Sequence, residues 1–178
     1  MELKNRYYDP KRDGYDATRW FTVGGTPTAA SDQLTLNQSA IIERCDVVRG
    51  DLSMRMFIPA VPTSGDSREF GMKNLSSGAY ATFQIADAVF YTVISDQSGN
   101  TDSLTLSFNS AWINTEVTFR IVFSPNYVKF VINDSPVAVF GGIKCPRTPM
   151  SVYVSNANAD ALLFKGYDLL GAAITGIA

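Results

Sequence analysis

The sequence predicts an all-β fold, an antiparallel β-sandwich of jelly-roll type, on three observations. Apolar residues alternate with polar ones at a period of two, the period of a strand with one buried face. Short runs of this kind recur between Gly, Asn, Asp and Ser turns. No stretch carries the 3.6-residue period of a helix of three turns.

The clearest strands come first. Leu52, Met54, Met56 and Ile58 alternate with Ser53, Arg55 and Phe57. Val117, Phe119, Ile121 and Phe123 alternate with Thr118, Arg120 and Val122. Val128, Phe130 and Ile132 form a third row, and Met150, Val152 and Val154 a fourth. Alternation places the methionines of these rows, and Met72, in the core. Weaker strand signals cover 20–23, 33–37, 41–48, 68–73, 79–85, 89–95, 103–108, 137–140 and 162–169. Turn chemistry separates them, as at Gly24-Gly25, Ser98-Gly99-Asn100 and Asn133-Asp134. Three segments follow: an N-terminal arm over 1–16 with no strand period, a sandwich over 17–168, and an apolar tail over 169–178.

Composition narrows the chemistry. Charged residues are 18% and aromatics 12% of 178 residues, which suits one large β core. The net charge of −2 argues against nucleic acid, whose binders need a basic face. No apolar run is long enough for a membrane helix, and no apolar segment follows Met1 as in a secretory signal. The chain has no histidine, so Ser-His-Asp and Cys-His sites cannot be built. Its two cysteines, Cys45 and Cys145, make no four-ligand zinc site and read as buried thiols, with pairing left open. No cofactor is expected.

The order of signals resembles the concanavalin A-like lectin/glucanase family, which includes laminin G-like domains. Asp13-Gly-Tyr-Asp-Ala-Thr-Arg-Trp20 and Gln33-Leu-Thr-Leu-Asn37 are similar to its opening strands, and Gly50-Asp-Leu-Ser-Met-Arg-Met56 to its long early strand. Phe119-Arg-Ile-Val-Phe123 with Val128-Lys-Phe-Val-Ile-Asn-Asp134 is similar to its hairpin with an acidic turn. Pro149–Asn156 and Leu163–Asp168 resemble its closing strands. The resemblance implies a lectin-like or glucanase-like sandwich, and fold alone assigns no function.

A retaining glycosidase needs two carboxylates about 5 Å apart. The Glu-x-Asp-x-Glu motif that the resemblance would imply is missing, and Glu2, Glu43, Glu69 and Glu116 are scattered singly. The expectation is therefore a chain that is not an enzyme. A glycan site needs an exposed aromatic ring beside amides or hydroxyls. Trp112 between Asn109 and Asn114 fits that description, and so does Tyr80. The competing reading of Trp112 is a tryptophan packed at a sandwich corner. Asp96, Asn100 and Asp102 offer hard oxygen ligands around a glycine, as a calcium loop would. The competing reading is a polar hairpin turn.

The functional expectation is a structural subunit, a decoration or cement-type protein of a phage capsid. Such sandwiches usually act outside cells, and a virion protein made in the host cytoplasm needs no signal peptide. The partners are then other subunits, with homo-oligomerisation through Tyr7 and Tyr8 of the arm and Leu169, Leu170, Ile174 and Ile177 of the tail. An uncovered apolar tail is a liability in water, which favours that use. The alternative is a carbohydrate-binding module that recognises a surface glycan.

Overall fold

The computed structural model describes residues 2–30 and 32–173. The described residues form fifteen strands in two antiparallel sheets. In chain order they are β1 Glu2–Tyr8, β2 Phe21–Gly24, β3 Thr28–Ala30, β4 Gln33–Leu36, β5 Ser39–Val47, β6 Arg49–Phe57, β7 Ser67–Lys73 and β8 Tyr80–Ala86. There follow β9 Val89–Ser95, β10 Thr101–Leu106, β11 Glu116–Ser124, β12 Tyr127–Ile132, β13 Ser135–Gly141, β14 Met150–Asn156 and β15 Leu162–Ala173. The eight-stranded sheet runs β13-β12-β11-β6-β15-β4-β3, with β1 also paired to β15. The seven-stranded sheet runs β10-β9-β8-β7-β14-β5-β2. Among the described residues helix is confined to one turn, α1 Pro10–Asp13, and a 3₁₀ turn at Ser110–Trp112. Among the described residues no helix is long and apolar enough to cross a membrane.

The registers show why these residues form these strands. Leu52, Met54 and Met56 of β6 face Ile121, Phe119 and Val117 of β11 on one side. On the other they face Leu169, Tyr167 and Phe164 of β15. All nine are buried, so one inward row runs across three strands. Rings close the gap between the sheets: Phe83 lies 5.0 Å from both Phe119 and Phe130, and Phe70 lies 4.9 Å from Phe119. Each such edge-on pair adds about 0.5–1.5 kcal/mol beyond its area burial. Tight turns reverse the chain where the left-handed backbone is cheapest. Asn133 and Asp134 (φ 45° and 64°) join β12 to β13, as their residue types predict. Asp87 and Ala88 (φ 48° and 69°) do the same between β8 and β9 without that signal.

The N-terminal segment and the described part of the tail pack on their own sheet, where the expectation is of arms for inter-subunit contact. Residues 2–8 form β1, which pairs along all of its own length with the second half of β15, Glu2 opposite Ala173 and Tyr8 opposite Tyr167. Tyr8 is fully buried in a box with Trp20, Phe164 and Tyr167. Its phenol donates to the Gly14 carbonyl. The Arg19 guanidinium lies 5.0 Å over the Tyr8 ring, and its Nε donates to the Glu43 carboxylate at 2.7 Å. Arg6 donates to the other Glu43 oxygen at 3.0 Å. Leu169 is also fully buried. Tyr8 and Leu169 therefore spend their surface inside their own chain, which corrects their assignment to inter-subunit contact. Tyr7 and Leu170 remain exposed. Ile174 and Ile177 lie outside the described residues.

Candidate functional site

Alternation on the seven-stranded sheet sends Phe70, Met72, Ala81, Phe83 and Ile85 into the core. The residues between them point outward and line up across strands. One row is Ser155, Glu69, Gln84 and Tyr91; the next is Tyr153, Gly71, Thr82 and Val93; the third is Ser151, Lys73, Tyr80 and Ser95. Glu69 is the centre of a connected polar group. Lys73 Nζ donates to its Oε2 at 2.7 Å, and Thr82 Oγ1 and Gln84 Nε2 donate to its Oε1 at 3.1 and 3.2 Å. Lys73 Nζ also lies 4.7 Å from the Tyr153 ring centroid and 5.5 Å from that of Tyr80. Burial, and then the Glu69 charge, raise the Tyr80 phenol above its ordinary value, with Lys73 opposing, so it stays a neutral donor and acceptor near pH 7.

Gly71 sits in the middle of its row, where a side chain would be driven toward the core and the Ile121 side chain rather than onto the outer face. Its φ of 146° is one that other residues rarely adopt, and a Cβ there would meet the Ala81 carbonyl at 2.5 Å. Toward β2 the face deepens into a cleft of about 410 Å³, lined by Phe21, Ile42, Arg44, Asp46, Lys73 and Ser151. The arrangement offers a carboxylate, an amide and an ammonium beside the half-buried rings of Tyr80 and Tyr91, backed by the buried Thr82 hydroxyl and Tyr153 ring. Such a surface suits a ligand that is rich in hydroxyls and has apolar ring faces. Glu69 is the one carboxylate at the outward positions of β7, β8, β9 and β14.

Tyr80 is the sequence candidate that belongs to this face. The structure does not bring it together with Trp112, Asn109 or Asn114. Trp112 packs on Phe90 and Phe108, each 5.6 Å away, and on Phe119 at 6.3 Å, as the corner-packing alternative describes. Asn109 caps the 3₁₀ turn, its side chain accepting from the Ala111 N–H at 2.9 Å. Both line a second cleft, with Leu106, Phe108 and Val137. Asn114 turns the backbone at φ 54°, and its N–H donates to Ile58.

Asp96 uses its carboxylate inside its own loop. It accepts from the Ser98 N–H, the Asn100 N–H and the Asn100 side chain at 2.8–2.9 Å. Asp102 points to Lys144 at 3.8 Å. Among the described residues no three His, Cys, Asp or Glu side chains are placed to hold a metal. Cys45 and Cys145 are buried thiols that donate to the carbonyls of Glu43 and Phe140.

Sequence reasoning passed over Glu69, Lys73, Thr82 and Gln84. The signal was present: outward polar residues at 80, 82 and 84 on a strand flanked by Glu69 and Lys73. Only the pairing of β7 with β8 shows that they meet.

No protein-family profile matches the chain, and no curated protein sequence matches it. Solved structures do share its fold. The Crh5 transglycosylase in complex with NAG superposes with a TM-score of 0.74 at 12% identity, over 94% of this chain and 84% of that one. The Bacillus licheniformis β-glucanase gives 0.72 at 11% identity, over 94% and 98%. The Emp47p carbohydrate recognition domain gives 0.66 at 10% identity, over 94% and 95%. The fold is thus the concanavalin A-like lectin/glucanase jelly roll.

Two of these neighbours are enzymes by name, and the expectation of a non-catalytic chain is corrected accordingly. It rested on a missing histidine and a missing motif, and the fold itself is one that carries catalysis. None of the three is named as a virion protein, so the capsid-decoration reading gains no support from the fold.

Proposed function

We propose that the outer face of the seven-stranded sheet binds carbohydrate, with Glu69 at its centre. The observation that carries this reading is the polar group of Glu69, Lys73, Thr82 and Gln84 set among Tyr80, Tyr91 and Tyr153. Sugar rings present apolar C–H faces to aromatic rings and hydroxyls to charged acceptors. A hydroxyl donating to an ionised carboxylate contributes about 1.5–3 kcal/mol, more than a neutral pair. Neighbours of this fold named for carbohydrate recognition and for glucan and glycosyl chemistry support the same reading. Glu69 is also the group on this face able to exchange a proton with a glycosidic oxygen, so binding and chemistry share one residue in this proposal.

A glycan array followed by calorimetry on the best glucan oligosaccharide tests it. Glu69→Gln and Tyr91→Ala each weaken binding at least about tenfold, with melting temperatures near that of the parent chain. A reducing-sugar assay on the same oligosaccharide, with Glu69→Gln as control, reads any turnover. A folded chain that binds nothing on the array overturns the proposal.

A further inference from the structure

The cleft at the β2 end of this face carries a cation, Arg44, that has no ion-pair partner among the described residues, although the Asp46 carboxylate lines the same cleft. Three residues of β5 (Arg44, Cys45 and Asp46) stand opposite Ser151 alone, because Glu43 pairs with Val152 and Val47 with Met150. Asp46 adopts φ 52° in this bulge. Bulges of this kind re-aim side chains. Here the bulge sets Arg44 at the mouth of the cleft, exposed, with its guanidinium 5.6 Å from the centroid of the Phe21 ring. Among the described residues the Arg44 guanidinium forms no ion pair and no hydrogen bond. The contrast with Lys73 is direct, since Glu69 already neutralises that ammonium at 2.7 Å. A guanidinium lying over an aromatic ring is pre-oriented, and its planar fork matches two oxygens of one anionic group. Phe21, which is 53% exposed, supplies an apolar surface beside it.

We infer that Arg44 and Phe21 form a subsite for an anionic sugar, one that carries a carboxylate or a sulfate ester, at the β2 end of the glycan face. This rests on the proposal that the face binds carbohydrate, and it adds the class of glycan. The sugar ring lies on Phe21 and its acidic group meets Arg44. Asp46 lines the same cleft and opposes the anion.

The test uses three matched ligands: a uronic-acid oligosaccharide, the same oligosaccharide after reduction of its carboxyls to neutral hexoses, and a sulfated neutral oligosaccharide. The expected result is that one of the two anionic ligands binds about 10- to 100-fold more tightly than the neutral one, the worth of a charge-assisted pair. Which of them does so identifies the acidic group. Arg44→Gln brings the anionic-to-neutral ratio close to one, and Arg44→Lys restores part of it by keeping charge without the fork. Asp46→Asn raises the ratio. Equal binding of all three ligands, with a ratio that Arg44→Gln does not move, overturns the subsite. In that case a Glu69→Gln variant that still weakens every ligand keeps the carbohydrate-binding face intact. No binding by any ligand overturns both.

Discussion

Two glutamates of the seven-stranded sheet are held by basic side chains, and they face opposite ways. Glu43 on β5 points inward, is 1% exposed and is gripped by Arg6 and Arg19 from the N-terminal segment. Glu69 on β7 points outward, with 17% of its side chain exposed, and is held by Lys73 from its own strand. The contacts are similar in length, 2.7–3.0 Å, so distance does not separate them. Burial does. A buried carboxylate that loses its partners leaves charges that water cannot reach, whereas one at the surface exchanges its partners for solvent at little cost. The first fastens the chain end to the sandwich, and the second stays available to a ligand.

Breaking the inward cluster has the largest expected effect. Glu43→Ala removes the buried carboxylate that Arg6 and Arg19 share, leaves Arg19 only the longer ion pair to Asp13 at 3.6 Å, and destabilises by about 3–5 kcal/mol, read by urea unfolding. A loss below about 1 kcal/mol would mean that Glu43 and Glu69 are equivalent. Next is Gly71→Ala, which drives a Cβ toward the Ala81 carbonyl and the Ile121 side chain, 2.8 Å away. It costs about 1–3 kcal/mol in overpacking alone and displaces the strand that carries Glu69, so thermal melting and glycan binding fall together. Glu69→Gln is the sharpest contrast. Stability changes by less than about 1 kcal/mol while binding of the glucan oligosaccharide falls at least about tenfold in calorimetry.

The smallest effect concerns a third carboxylate. Hydrogen bonds from Asn100, its side chain foremost, hold the Asp96 carboxyl below the usual carboxylate range. Its folded value lies under the unfolded one, about 3.9. The stability it contributes is therefore complete above that pH and is lost as pH falls through the folded value. Asp96→Asn should flatten the acid limb of stability against pH, followed by urea melts from neutral to acid. An unchanged limb would show that the loop does not couple to folding.

Every strand read from alternation is present, because burial of one face imposes a period of two that the residues themselves display. The strands that were not legible, β1 and β3, are short or lack alternation. Residues 2–8 become a strand because β15 offers them an edge, a tertiary cause that no local pattern records. The candidate site was half legible for a related reason. Tyr80 was visible as an aromatic in a polar setting, and Trp112 looked similar until Phe90 and Phe108 accounted for its surface. Glu69 looked solitary among scattered glutamates. Its partners Thr82 and Gln84 are distant in sequence and neighbours only across the β7–β8 ladder. Arg44 drew no notice, since a bulge is a mismatch between two strands and belongs to neither alone.

The strand order also has a consequence for how the chain is made. β15 separates β6, β11, β12 and β13 from β4, β3 and β1, and β14 separates β7, β8, β9 and β10 from β5 and β2. Both sheets are thus completed from the middle by the strands that leave the ribosome after all the others. Until then each sheet exists as two halves with bare inner edges, and the Phe-rich interior has no lid. Synthesis at roughly 5–20 residues per second leaves those edges open for seconds, the interval in which a chaperone, or another nascent copy, competes with the chain's own closing strands.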